Sequence, residues 1–211
     1  MTERSEPTNA PEKPNPSATS QATRLSEIIR ETSETRVAIT LDAYPNEGAA
    51  VEAATTNAFL DHMLTVLGRY AGFGLRVEAK GDLTHHLVED VAITLGLALR
   101  DEIPEACTRY ADATVVMDEA MVQVALDLVG RFYYEGPVPS SLYDHFLRSF
   151  AENARMTLHV RVLRGTDRHH VVEAAFKALG LALAKAMAPG GDGSAVFSTK
   201  GAVKIERRNV R

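Results

Sequence analysis

Six of the seven histidines in this 211-residue chain occupy paired positions. His62 and His145 each follow an aspartate, in the segments FLDHML and LYDHFL. His85-His86 and His169-His170 each open an HHxxE segment, closed by Glu89 and Glu173. Imidazole nitrogens with a single hard oxygen suit a borderline divalent cation such as Mn, Fe, Co, Ni or Zn. On a helix the first His and the Glu of HHxxE share a face, while the second His is rotated by about 100° around the axis. Adjacent histidines so placed serve two ions rather than one, and six imidazoles with two carboxylates divide into two sets of three His and one Glu. An octahedral ion in such a set keeps two positions open for a substrate. One histidine taken by itself is more often packed or solvated than ligating. Duplication accounts for matched positions, but it does not account for nearly every histidine falling on one of them. His159, the seventh, lies on an alternating strand and reads as structural. Each HH pair looks in two directions, which points to metals shared across subunit boundaries.

A repeat carries these residues. HHLVEDVAITLGLAL, from His85 to Leu99, aligns without a gap on HHVVEAAFKALGLAL, from His169 to Leu183, with nine identities in fifteen positions. His62 lies 23 residues before His85 and His145 lies 24 before His169, so the correspondence extends upstream. Between these landmarks FGLRVEAKGD and MTLHVRVLRGTD alternate as strands leaving a helix. Each unit opens with two strand-like runs, TRVAITLDAY and AAVEAAT in the first, ATVVMDEA and MVQVALDLVG in the second. Val91, Leu95 and Leu99 recur at helical spacing, so the helix after the first HH pair can cover one face of a sheet. The predicted fold is α+β, with the unit strand, strand, helix, strand, helix used twice and sheets covered by helices.

The rest of the composition bounds the function. With 45% hydrophobic and 24% charged residues, the bulk of the chain is an ordinary globular domain. The formal charge of −5 excludes a broad nucleic-acid-binding surface. Cys107 is the only cysteine, so neither an internal disulfide nor a thiolate metal cage forms, and a reducing, cytoplasmic compartment is expected. No apolar window reaches the length of a membrane span. Residues 1–23 are rich in Pro, Ser, Thr and Glu, cannot offset their ordering entropy, and are expected to form a disordered tail. The domain is placed at 24–211, with repeat halves at about 34–102 and 109–188.

FLDHML, HHLVED, MDEA, HHVVEAAFKALG and STKG, in that order over Glu34 to Val203, resemble imidazoleglycerol-phosphate dehydratase, the hydro-lyase of histidine biosynthesis. The resemblance implies a duplicated ferredoxin-like half, two divalent ions per site, Mn(II), and a homo-oligomeric shell of roughly 24 subunits with metal sites at its interfaces. Its ligand set carries over to His62, His85, His86, Glu89, His145, His169, His170 and Glu173. The two phosphate-binding arginines carry over to Arg109 and Arg131, and a C-terminal phosphate loop at 196–203 to Ser198 and Lys200. A phosphate dianion calls for such guanidinium forks and a point charge. Glu34 matches a substrate-contacting glutamate, Asp118 an acid near the site and Lys177 a substrate-pocket lysine. The implied reaction removes a carbon-bound proton where no carbonyl is adjacent, so the imidazole ring must accept the electrons. Metals flanking the ring stabilise it as an imidazolate, and hydroxide leaves through a diazafulvene-like intermediate. Glu34 and Asp118 are the acid and base candidates, with Glu89, Glu173 and Lys177 also in catalytic roles.

Five features depart from the family pattern. Tyr70 stands where a second histidine is usual, VGRF replaces SGRP, and the opening hairpin reads AYPNEG in place of a glycine-rich turn. GDLT is shorter than usual and lacks the customary aspartate before His85, while Arg168 takes a position where Ser or Asp is common. Such acids orient imidazole ligands. Two other readings stay open: a different dinuclear metal enzyme acting on a phosphate ester, and a non-catalytic assembly that keeps the ligands for oligomerisation.

Overall fold

Strict alternation of buried apolar and exposed polar residues builds each sheet. The computed structural model describes residues 25–189 apart from 46, 47, 49, 105 and 129. The tail expected at 1–23 and the loop expected at 196–203, with Ser198 and Lys200, lie outside the described residues.

The first half runs β1 (Ser26–Glu31), β2 (Thr35–Asp42), β3 (Val51–Ala54), α1 (Ala58–Ala71), β4 (Gly74–Gly81) and α2 (Thr84–Glu102). The second half repeats it as β5 (Tyr110–Met117), β6 (Ala120–Asp127), β7 (Tyr133–Glu135), α3 (Ser141–Ala154), β8 (Thr157–Arg164) and α4 (Arg168–Met187). Both sheets have four strands in the same order, β1-β2-β4-β3 and β5-β6-β8-β7. The last strand of each order runs parallel to its neighbour and the other pairs are antiparallel. Ile39 pairs with Ile28 on one side and Val77 on the other, and Val124 with Ala113 and Val160. These residues put one face of each sheet against the helices.

The expected α+β duplication is therefore present, and each half carries one strand more than its two strand-like runs. TRVAITLDAY and AAVEAAT form β2 and β3, whereas ATVVMDEA and MVQVALDLVG form β5 and β6, so the runs legible in the two halves are not the equivalent ones. SEIIRE and YYE complete the sets. Both are edge strands, one bounded by charges and the other three residues long, and in neither do apolar and polar residue types alternate over a sustained run.

Helices of different halves pair with each other. α2 packs along α3 and α1 along α4, while α2 covers β1 and β2 and α4 covers β5 and β6. The repeated LGLAL motif places a glycine at each crossing. A Cβ on Gly96 would meet the Phe150 carbonyl oxygen at 2.6 Å and the Ala154 amide nitrogen at 3.0 Å. One on Gly180 would meet the Leu67 carbonyl oxygen at 2.9 Å and the Ala71 nitrogen at 3.0 Å. Phe146, Phe150, Phe176, Leu60, Met63, Leu64 and Leu99 fill the interior between the sheets. No helix among the described residues is long and apolar enough to cross a membrane.

Candidate functional site

Because α1 lies along α4 and α3 along α2, the histidine of each Asp-His pair meets the HHxxE segment of the opposite half. His62 on α1 has its Nε2 3.1 Å from Glu173 Oε2, and His169 on α4 has its Nε2 3.0 Å from the same oxygen. His145 on α3 has its Nε2 3.1 Å from Glu89 Oε1, and His85 on α2 has its Nε2 3.7 Å from Glu89 Oε2. In each cluster the three candidate ligand atoms lie within 4.8 Å of one another. The aspartates beside the two histidines brace the loops that precede their helices. Asp61 Oδ1 accepts hydrogen bonds from the Thr55 amide and hydroxyl at 2.8 and 2.6 Å. Asp144 Oδ1 accepts from the Tyr134 hydroxyl at 2.6 Å and the Val138 amide at 3.1 Å.

Both clusters fit a divalent cation by their donor chemistry. Burial opposes ionisation of Glu173, yet hydrogen bonds from Lys177, His62 and His169 outweigh it and hold its carboxyl at about 2, so it presents an anionic oxygen at neutral pH. In the other cluster His145 Nε2 is buried and has no hydrogen-bond partner among the described residues, since Glu89 Oε1 lies near it but off the line a hydrogen bond needs. A buried ring nitrogen left unpaired is costly unless some other group engages it.

Each cluster holds two histidines, not the three expected. His86 and His170 stand one position further along their helices and face away from both clusters, each toward acids of its own. His86 Nδ1 is 2.9 Å from Asp82 Oδ1 and 3.6 Å from Glu34 Oε2. His170 Nδ1 is 2.7 Å from Glu119 Oε2, and its Nε2 is 3.6 Å from Asp118 Oδ2. The hydrogen bond to Asp82 raises the basicity of His86, as that to Glu119 does for His170. The expectation that GDLT lacks an orienting acid is corrected here: Asp82 of that segment holds the His86 ring. In the second half Asp167 caps α4, its Oδ1 accepting from the His169 and His170 amides at 2.7 and 3.2 Å, so Arg168 displaces no needed acid. Glu119 was missed in the sequence. Its carboxylate accepts from the Asp167 amide at 2.8 Å and the Thr166 amide at 3.1 Å as well as from His170, and these bonds hold it at about 2. The signal was available, because Glu119 directly precedes β6 as Glu34 directly precedes β2.

The sequence model of the imidazoleglycerol-phosphate dehydratase family matches residues 55–183, which span both Asp-His pairs and both HHxxE segments. The chain belongs to that family. Dehydratases so named from Bacillus thuringiensis and Kineococcus radiotolerans are 42% and 44% identical to it over 193 and 199 residues. The alignments cover 84% and 85% of this chain and 98% and 99% of those proteins. Among solved structures, the Pyrococcus furiosus dehydratase superposes with a TM-score of 0.73 at 38% identity, covering 83% of this chain and all of that one. The Staphylococcus aureus dehydratase gives 0.69 at 30% identity, covering 79% and 99%. As an imidazoleglycerol-phosphate dehydratase family member the chain is a hydro-lyase of histidine biosynthesis, and it processes a small molecule.

Against that family background the remaining expected residues fall in distinct places. Lys177 is on α4 one turn beyond Glu173, with its Nζ 3.0 Å from Glu173 Oε1 and 5.8 Å from the centroid of the Tyr70 ring. Tyr70 thus lies beneath an ammonium. Arg109 and Arg131 stand at the opposite end of the β5–β6 hairpin from Asp118, Glu119 and His170, roughly 25 Å away by strand length. Arg109 pairs with Asp127 through two bonds of 2.7 and 3.1 Å, and the Arg131 carbonyl accepts from Thr157. His159 lies on the exposed outer face of the second sheet, its ring 5.4 Å from that of Tyr133, and belongs to neither cluster. Beside His169 opens a cleft of about 620 Å³, lined also by Asn57, Phe59, Tyr143 and Arg168.

Proposed function

We propose that this chain catalyses the metal-dependent dehydration of imidazole glycerol phosphate to imidazole acetol phosphate, using two divalent ions, Mn(II), held at subunit interfaces of a homo-oligomeric shell. The observation that carries the reading is the crossed pairing of the halves, which assembles two separate His-His-Glu clusters and leaves His86 and His170 facing elsewhere. A third imidazole for each cluster then has to come from another copy of the chain. That supports ligands shared between subunits; the shell of roughly 24 of them is what the family resemblance implies. Arg109 and Arg131, a strand length from the His170 turn, likewise serve a neighbouring copy's substrate better than their own.

Divalent ions held by His62, His169 and Glu173 and by His85, Glu89 and His145 would supply Lewis acidity toward the substrate's azole ring. Glu89 and Glu173 point their oxygens toward the imidazoles, and Asp82 and Glu119 fix the His86 and His170 rings through Nδ1, leaving Nε2 to ligate. Glu34 and Asp118 are exposed carboxylates within 3.6 Å of His86 and His170, placed to take the carbon-bound proton and to return one to the departing hydroxyl. Lys177, one turn along α4 from Glu173 and 3.8 Å from Met117 Sδ, stands beside the Glu173 cluster. Ser198 and Lys200, with Arg109 and Arg131, bind the phosphate. The cleft beside His169 is of ordinary size for a small phosphorylated ligand.

The test is to incubate the Mn-loaded protein with imidazole glycerol phosphate and follow formation of the acetol phosphate. Product that is lost on chelation and restored by Mn(II) is the expected result. A stable metal-loaded protein with no turnover would reject the reaction, and turnover unaffected by thorough metal removal would reject the role of the ions. Chelation should also break the particle into smaller species, because shared ligands turn metal binding into assembly.

A further inference from the structure

The duplication matches every ligand of the two clusters but not the charge around them. Glu173 is engaged at both oxygens: Oε2 faces His62 and His169, while Oε1 accepts a 3.0 Å bond from Lys177 Nζ. Lys177 is largely enclosed, seated over the Tyr70 ring and 3.8 Å from Met117 Sδ, so its ammonium is held in place rather than free to swing into solvent. The position equivalent to Lys177 in the first half is Ile93. Glu89 accordingly has no lysine or arginine in salt-bridge reach among the described residues, and it offers one oxygen to His145 and the other to His85. Its side chain is 34% exposed against 8% for Glu173.

The two carboxylates therefore present different ligands. Glu89 brings a full negative charge and two oxygens. Glu173 brings one oxygen and a charge already cancelled by its neighbour. Burial does not reverse the order, because drawing a dication out of water into a set with no net charge costs more than binding it at an exposed anionic one. Nor do His86 and His170 restore the balance, since each carries two acids.

We propose that the two clusters hold their divalent cations with unequal affinity, tightly at Glu89 and weakly at Glu173, and that Lys177, seated on Tyr70, is the positioning residue that sets the difference. A carboxylate tied at one oxygen ligates through the other alone, which keeps a coordination position of the weaker centre available to substrate. This rests on the metal reading above. Repulsion between an ammonium and a dication on the two oxygens of one carboxylate amounts to about tenfold in affinity even at the dielectric constant of water.

The experiment is a titration of the metal-stripped full-length protein with Mn(II), following free ion by electron paramagnetic resonance and heat by calorimetry. Two equal classes of site, separated by about tenfold or more, are expected. Lys177→Gln and Lys177→Ile should tighten the weak class and leave the tight one alone, Tyr70→Ala should narrow the gap, and Tyr70→Phe should preserve it. Glu89→Gln should abolish the tight class selectively. Two indistinguishable ions in the unaltered protein, or unchanged constants in a folded Lys177→Gln variant, would overturn the inequality while leaving the metal reading intact. No binding of Mn(II) at either cluster would overturn both.

Discussion

The crossing of α2 and α3 at Gly96 brings His145 to Glu89, and a single methyl group tests it. In Gly96→Ala the new Cβ would sit 2.6 Å from the Phe150 carbonyl oxygen, 2.9 Å from Asn153 Cβ and 3.0 Å from the Ala154 nitrogen. Two of these neighbours are helix backbone and cannot rotate away, so the helices must separate by about 0.8 Å to restore ordinary contact. Overpacking of this kind costs about 1–3 kcal/mol. Alanine returns about 1 kcal/mol of helix propensity over glycine, leaving a net loss of about 0–2 kcal/mol. Gly68→Ala on α1 is the control, because its new Cβ would meet the Val51 methyls at 2.8 and 3.2 Å and Leu75 Cβ at 3.6 Å, all side-chain atoms and none of them helix backbone. That variant should be neutral or slightly stabilised. In thermal melts at a fixed protein concentration Gly96→Ala should fall by roughly 2–12 °C relative to Gly68→Ala, because both gain the same propensity and only one is overpacked. Metal affinity should fall with it. Equal melting of the two variants would refute the claim that close backbone approach, and not helix propensity, governs this position.

Glu119→Ala should weaken Mn(II) binding about 10–100-fold, since the carboxylate orients His170 and ties the start of α4; unchanged affinity in a metal titration would remove it from the site. Arg131→Ala should raise KM for the phosphate substrate by about tenfold while leaving metal content unchanged, and a normal KM would dismiss its phosphate contact. Cys107 is buried, and burial raises its thiol above the usual range, so the neutral form is favoured in the native protein. The linked stability is present below the thiol's unfolded pKa and is lost as pH rises through the folded one. Thiol-specific reagents at neutral pH should therefore label the native protein slowly and the denatured protein at once, and fast native labelling would contradict the packing.

The candidate ligands were legible because duplication printed them twice. An Asp-His pair and an HHxxE segment at matched spacing announce both the helices and the chemistry. Which His62 or His145 meets which glutamate was not legible, because partner choice between α1, α2, α3 and α4 is decided by small residues such as Gly96 and Gly180 at crossings far apart in sequence. β1 and β7 escaped notice because edge strands need not alternate. Glu119 was passed over for its neighbour Asp118, although only the residue touching the strand has its carboxylate aimed at the amides before α4. Asp82 shows the reverse case, an orienting acid present in a segment judged to lack one. Lys177 was visible, but its effect on Glu173 depends on the turn of α4 and on Tyr70 lying across from it.

The exchange of partners between halves also bears on how such a chain could have arisen. A protein cut in the connection between α2 and β5 would yield two fragments, neither able to complete a cluster by itself. Two copies of one ancestral fragment, related by a twofold axis, would complete two identical clusters at once. Fusion of the copies would then free the two centres to drift apart in character, a freedom no symmetric dimer of a single gene product has.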